Sequence, residues 1–239
     1  MAVNQNKVLI IIPTLNEVDT IHDLISDIFV NLPQINILVV DDGSQDGTYE
    51  SLKKISNKNE NLQVINRHKR LGLGSAYRDG FIYAKENQYT HVIQMDGDGS
   101  HQGDDLKKLL MAEDNLDLVV GSRYVSGGNI LGWKFSRKFI SRAGNIFAKY
   151  ALRLKIKDAT SGFKRLSRSI FADNELLASK TNGYGFQVEI IHFCKLRRLS
   201  MVEIPIAFID RRFGYSKFNK FIVLEAFVSI IKWIAKRQI

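Results

Sequence analysis

The first 122 residues alternate short apolar runs with amphipathic stretches, and the runs end in clusters of Asp, Asn, Gly or Ser. Such alternation of strand and helix signals constrains the chain to a largely parallel sheet covered by helices. Lys7–Ile12 reads as a strand and Glu17–Leu32 as a helix with Ile21, Leu24, Ile25 and Ile28 along one face. Asn36–Val40 is a second strand, Gly47–Ile55 a short helix and Leu62–Asn66 a third strand. Ser75–Glu86 is the next helix, and His91–Met95 and Leu116–Val120 are the fourth and fifth strands. No repeat, low-complexity tract or interdomain linker interrupts the 239 residues, a length that one core can serve.

The fourth strand runs straight into Asp96-Gly97-Asp98. Two carboxylates one residue apart at a strand's end meet near one point on the carboxyl edge of the sheet, where open α/β sheets bind ligands. Two readings stand side by side. Asp and Gly are ordinary turn residues, and two hard oxygen donors also suit a divalent cation that touches a diphosphate. The other strand ends are similarly polar. Ile12 leads into Pro13-Thr14-Leu15-Asn16-Glu17, and Val40 into Asp41-Asp42-Gly43-Ser44. Carboxylates there can accept hydrogen bonds from a base or a ribose, and Asp46 can cap a helix. Arg70-Leu71-Gly72-Leu73-Gly74 follows the third strand and reads as a glycine-permitted loop beside a nucleotide, opening onto a helix N-terminus.

Charge divides the chain. Residues 1–122 hold 11 Lys/Arg against 18 Asp/Glu, whereas residues 123–239 hold 23 against 7. Arg123 to Arg168 carries 12 bases and a single acid, Asp158. Such asymmetry suggests nucleic acid, a membrane surface or a phosphorylated substrate. Nucleic acid is the weaker reading, because no RNA- or DNA-binding motif is evident and the acidic half would repel the polymer. Within the basic half, Lys134–Leu154 and Lys217–Lys236 have helical spacing, with Phe, Tyr and Trp beside Lys and Arg. They read either as core helices with solvated faces or as interfacial helices, and membrane contact is favoured for the last one. The single Cys194 rules out an intrachain disulfide and gives no sign of an oxidising compartment. The N-terminus lacks the basic start and apolar core of a signal peptide, and no apolar stretch reaches the roughly 20 residues of a membrane span.

Taken in order, Pro13-Thr14-Leu15-Asn16-Glu17, Asp41-Asp42-Gly43-Ser44, Asp96-Gly97-Asp98 and Gly121-Ser122-Arg123-Tyr124 resemble family-2 inverting glycosyltransferases of the GT-A fold. Gly132-Trp133, Arg137, Thr160-Ser161-Gly162-Phe163-Lys164, Gly183-Tyr184-Gly185-Phe186-Gln187-Val188-Glu189, Glu203-Ile204-Pro205-Ile206 and Asp210–Lys217 narrow the resemblance. That series is similar to dolichyl-phosphate mannose synthases and related polyprenyl-phosphate sugar transferases. It implies a Rossmann-like, mostly parallel sheet, a nucleotide-sugar donor (GDP-mannose favoured, a UDP-sugar such as UDP-glucose the alternative), Mg²⁺ or Mn²⁺, and a polyprenyl or dolichyl monophosphate acceptor.

By position, the resemblance implies that Asp96 and Asp98 take the metal and diphosphate, with Ser100 at a third metal position often occupied by Gln. It implies Pro13, Glu17, Asp41, Asp42 and Gly72 around the nucleotide. Arg123, Arg137 and Arg211 would serve the acceptor phosphate and the donor, with Lys217 as an added phosphate contact. Where relatives have Leu, a polar residue, His and paired prolines after the acidic motif, this chain has Gly99-Ser100-His101-Gln102-Gly103. That departure motivates one further reading, an inactive membrane-associated scaffold. The domain expectation is a transferase domain over 1–216, with nucleotide and metal in 1–122 and acceptor in 123–216. An amphipathic helix over 217–239 follows. The expected place is the cytoplasmic face of a membrane, bound peripherally, either directly or through a separate membrane subunit.

Overall fold

The structure, a computed structural model, describes residues 4–210 and 227–234. In chain order the first elements are β1 (Val8–Thr14), α1 (Val18–Asn31), β2 (Asn36–Asp41), α2 (Thr48–Ser56), β3 (Leu62–Asn66) and α3 (Leu73–Glu86). Next come β4 (His91–Gln94), α4 (Gly103–Met111), β5 (Leu118–Ser122), β6 (Asn129–Leu131) and α5 (Phe135–Ala151). The described elements end with β7 (Lys164–Ser167), α6 (Arg168–Phe171), α7 (Asn174–Leu177), α8 (Gly185–Leu196), β8 (Met201–Pro205) and β9 (Ala207–Ile209). Residues 227–234 are helical.

Seven strands make one sheet in the order β3-β2-β1-β4-β7-β5-β8, and β6 and β9 form a separate parallel pair. Only β7 runs antiparallel in the large sheet, between β4 and β5. The chain leaves β1 for β2 on one side and later returns to β4 on the other. That reversal opens a crevice at the carboxyl ends of β1 and β4, the usual ligand position in such sheets. Successive β1 residues serve opposite faces, as the two-residue period of a strand requires. Leu9 and Ile11 join the core cluster of α3 and α8, and Val8, Ile10 and Ile12 join that of α1 and α4. A strand buried on both sides must read as a continuous apolar run, which is why this one was visible in the sequence.

Element boundaries moved by one or two residues. The fifth strand begins at Leu118, where its N–H meets Ser200 O at 3.0 Å, and not at Leu116. The sequence reading assigns none of α4, β6, β7, α6, α7, α8, β8 and β9. β7 hides behind the charged pair Lys164-Arg165, both wholly buried. The two terminal nitrogens of Arg165 meet the end of α4: Nη1 donates to the carbonyls of Leu109 at 3.1 Å and Ala112 at 2.8 Å, and Nη2 to that of Glu113 at 2.5 Å. A cation that closes orphan carbonyls at a helix C-terminus is favourable. Because β7 comes from the basic half and sits inside the sheet, the two sequence halves share one core.

The final helix differs from its expectation in part. Within its described turns Ile230 is buried, and Ile230, Trp233 and Ile234 pack on the core. Phe227 stacks on Phe147 at 4.7 Å, and Trp233 on His192 at 5.7 Å. Core packing therefore claims one face, while Phe227, Val228 and Ile231 stay partly exposed. The remainder of Lys217–Lys236 lies outside the described residues. Among the described residues no helix is long and apolar enough to cross a membrane.

Candidate active site

The crevice beyond β1 and β4 is a cleft of about 790 Å³. Pro13, Glu17, Asp42, Gly72, Asp96, Asp98, Arg123 and Arg137 all line it, although they are spread over 125 positions of the chain. The acidic pair follows β4 directly. Thr20 in the first turn of α1 donates to the carbonyl of Gly97 at 3.2 Å, which ties the acidic loop to the neighbouring helix. Asp98 accepts the Ser100 N–H at 3.1 Å. Asp96 has His101 Nε2 at 3.4 Å from its Oδ2. Its carboxylate also lies against Gly162, where an added Cβ would come within 2.7 Å of Oδ2, so only glycine fits there.

The residues expected at the nucleotide divide into two kinds. Asp42 lines the cleft and holds the loop before α3 through the N–H groups of Leu71 at 2.8 Å and Gly72 at 2.9 Å. Arg67 pairs with it at 3.1 Å. Gly72 has φ of +96°, and a Cβ on it would meet Asn182 O at 2.4 Å, so the loop needs glycine on both counts. Asp41 is wholly buried, and it accepts from Thr14 Oγ1 at 3.2 Å, from the Ser44 hydroxyl and from Ser44 N–H at 3.1 Å. These bonds pin the turn after β2, and Asp41 is not among the residues that line the cleft. Glu17 sits at the start of α1, with its N–H on Thr48 Oγ1 at 3.0 Å.

The basic wall is built around Arg123 and Arg137. Arg123 is gripped at two points by Asp158, Nε to Oδ2 at 2.8 Å and Nη2 to Oδ1 at 2.7 Å. Asp158 is wholly buried, so this is a desolvated pair, and it also accepts the Arg123 backbone N–H at 3.0 Å. Burial pushes the Asp158 carboxyl up, but Arg123 outweighs it and holds the group below the usual carboxylate range. Trp133 and Phe208 flank the Arg123 guanidinium, each at 5.4 Å. Arg137 lies 4.1 Å over Trp133 and pairs with Asp210 at 2.8 Å. The same cleft is lined by apolar side chains as well: Phe139, Ile140 and Phe147 of α5, Val188 of α8, and Phe227 and Ile230. Arg211 and Lys217 lie outside the described residues.

Sequence reasoning passed over several participants. Asp158 was legible as the lone acid in a basic run. Lys164, under the site, is wholly buried, with Nζ bonded to Ser161 O and to Gln187 Oε1 at 2.6 Å. Burial pushes its ammonium down to about 7, against the pull of Asp158 and Asp96.

The donor set fits a hard divalent ion. Among the described residues no three His, Cys, Asp or Glu side chains gather to hold a metal by themselves. Asp96 and Asp98 present carboxylates, and beside them the Ser100 hydroxyl is buried without a hydrogen-bond partner among the described residues. One or two carboxylates completed by phosphate oxygens and water is the ordinary environment of Mg²⁺.

Comparison with known proteins gives concordant matches. The model of glycosyl transferase family 2 matches residues 9–174. Undecaprenyl-phosphate mannosyltransferase of Micrococcus luteus is 37% identical over 227 residues, covering 95% of this chain and 93% of that protein. Polyprenol monophosphomannose synthase of Mycolicibacterium smegmatis is 34% identical over 229 residues, covering 95% and 86%. Among solved structures, glucosyl-3-phosphoglycerate synthase from Mycobacterium tuberculosis, in complex with Mn²⁺, UDP and glucosyl-3-phosphoglycerate, aligns with a TM-score of 0.71 at 17% identity. That alignment covers 95% of this chain and 80% of the other.

Proposed function

This chain belongs to glycosyl transferase family 2 and is a glycosyltransferase of the GT-A fold, and from that premise we propose that it moves mannose from GDP-mannose onto a polyprenyl monophosphate with inversion. The observation that carries the reading is one cleft lined by three chemically distinct groups of residues: a carboxylate pair, two arginines and an apolar set. A sugar-nucleotide diphosphate, a phosphate and the start of an isoprenoid chain are the three chemistries those groups match. The mannosyltransferase relatives, similar over 95% of the chain, support the same sugar and acceptor.

A phosphomonoester has its second pKa at about 6 and is mostly dianionic near neutral pH. Its oxygen can therefore attack the anomeric carbon without a strong general base. A bond forms from that oxygen to the anomeric carbon, while the bond from the anomeric carbon to the diphosphate oxygen breaks. The electron pair leaves with the nucleotide diphosphate. The protein's task is to hold two anions together at the reacting distance. Asp96 and Asp98 hold Mg²⁺ or Mn²⁺ in this scheme, with Ser100 beside them. When bound, such an ion neutralises charge on the departing diphosphate. Asp42, Glu17, Pro13 and Gly72 border the nucleoside.

Arg123, fixed by Asp158, supplies a permanent positive charge. Arg137, over Trp133 and less buried, would grip the acceptor phosphate as a fork. Arg211 and Lys217 are proposed as further phosphate contacts. α5 supports a peripheral membrane position. Phe135, Phe139, Ile146 and Tyr150 stand exposed on it, with Lys138, Arg142 and Lys149 interleaved. Aromatic side chains beside cations suit the surface of an anionic bilayer, here a cytoplasmic face, with or without a membrane subunit.

A donor panel tests this reading. Thermal melts with GDP-mannose, GDP, UDP-glucose and UDP should show stabilisation by the GDP compounds that needs Mg²⁺ or Mn²⁺. Metal-independent stabilisation would refute the ion's role, and stabilisation by UDP compounds alone would move the donor to a UDP-sugar.

A further inference from the structure

We propose that His101 is a positioning residue of the acidic pair: its Nε2–H holds the Asp96 carboxylate in the orientation that, with Asp98, takes a divalent ion. The inference rests on the reading of Asp96 and Asp98 as the ion site, and it concerns a residue that would act through Asp96. Four observations carry it. His101 Nε2 lies 3.4 Å from Asp96 Oδ2, across five residues of the same loop. The imidazole is itself immobilised, stacked on Phe163 at 4.4 Å with only 13° between the ring planes, and met edge-on by Phe208 at 5.5 Å. Its side chain is 2% exposed, whereas the Asp96 side chain that it meets is 30% exposed and lines the cleft. On the other side, the Asp96 carboxylate abuts Gly162, where a Cβ would stand 2.7 Å from Oδ2 and 2.8 Å from Oδ1.

Asp96 is thus seated between a fixed imidazole and a bare stretch of backbone. Gly162 and Phe163 are consecutive, so one short segment ahead of β7 provides both parts: the space for the carboxylate and the platform for the ring. A carboxylate only accepts hydrogen bonds, which places the proton of a neutral imidazole on Nε2. Nδ1 is then a bare acceptor, and it is buried with no partner among the described residues. A histidine present only to fill the core would be replaced without loss by another aromatic ring. A histidine present to orient a ligand would not, because outer partners of metal-binding carboxylates set their direction and affinity.

Two substitutions separate those roles. His101→Phe keeps the ring on Phe163 and removes the donor, whereas His101→Gln keeps an N–H at similar reach and removes the ring. Mn²⁺ affinity is read from the loss of the free-ion electron paramagnetic resonance signal, with GDP in one series and UDP in another. Melting curves confirm that each variant is folded. His101→Phe should weaken Mn²⁺ binding by about 10- to 100-fold, and His101→Gln should recover most of that loss. Turnover of His101→Phe should rise toward the wild-type value at high Mn²⁺, which marks a raised metal requirement and not a lost chemical step. Unchanged Mn²⁺ affinity in folded His101→Phe would overturn the proposal, as would equal weakening in both variants. Failure of the wild-type protein to bind Mn²⁺ with either nucleotide is a different result: it removes the ion site itself, and Asp98→Ala would then match wild type.

Discussion

Asp158 is the one acid among the bases from Arg123 to Arg168, and the fold sets it wholly buried against Arg123. Breaking a buried pair by removing one partner leaves an uncompensated charge, typically at about 3–5 kcal/mol. Asp158→Ala should therefore lower the melting temperature strongly and weaken acceptor binding together, with Arg123 released. The carboxyl is held below its usual range. Its stabilisation is hence present above the ordinary carboxylate pKa of about 4 and is lost as pH falls through the folded value. Unfolding curves down the acid limb should show that loss in the wild type. Lys164 acts in the same direction, in a higher pH window. With its folded pKa near 7, the unfolded chain holds a proton that the folded chain lacks between that value and the ordinary lysine pKa of about 10. Stability should rise with pH through this window, by ~1–2 kcal/mol between about pH 7 and 8.5, and Lys164→Met should flatten the rise. Burial pushes the Cys194 thiol up to about 12, so its contribution runs downward at higher pH, which confines a clean reading to the lower part of the window. Gly162→Ala would push a methyl group into the Asp96 carboxylate. We expect a folded protein destabilised by about 1–3 kcal/mol with a disproportionate fall in metal-dependent activity.

At the scale of elements, α5 turns one side inward, with Asn145 and Ala148 buried, and leaves Phe135 at 84% and Tyr150 at 76% exposed. Such a face, aromatic and basic at once, should bind anionic vesicles in a salt-sensitive manner. Co-sedimentation of the double substitution Phe135→Glu and Phe139→Glu should fall to background with an unchanged melting temperature; retained binding would move the membrane contact elsewhere. Elements also differ in how far their sequence announces them. β1 and β2 were legible because Leu9–Ile12 and Ile37–Val40 are apolar on both faces of the sheet. β7 was not, because Lys164 and Arg165 look like surface residues until their partners are known. Those partners, Gln187 and the carbonyls ending α4, lie 23 and more than 50 positions away. Local periodicity contains no trace of them.

For the whole molecule, the charge split in the sequence becomes the acidic and basic walls of one cleft, because β7 carries the basic half into the acidic half's sheet. The acidic pair, the Asp42 turn and the two described arginines were readable from motif order. Which of Asp41 and Asp42 faces the cleft was not, since adjacent residues at a strand's end point opposite ways and only the register decides. The seat of His101 was not readable for a similar reason: its platform, Phe163, is 62 positions distant. The account's central claim is that these walls bring a metal-held sugar-nucleotide to a lipid phosphate. The most direct test is transfer of labelled mannose from GDP-mannose to polyprenyl phosphate with Mg²⁺, with Asp98→Ala run in parallel. We predict a label that moves into the organic phase, as a mild-acid-labile product, for the wild-type protein and a loss on the order of 10²-fold or more for Asp98→Ala. No lipid-linked product from any GDP- or UDP-sugar, or equal product from both proteins, would contradict it.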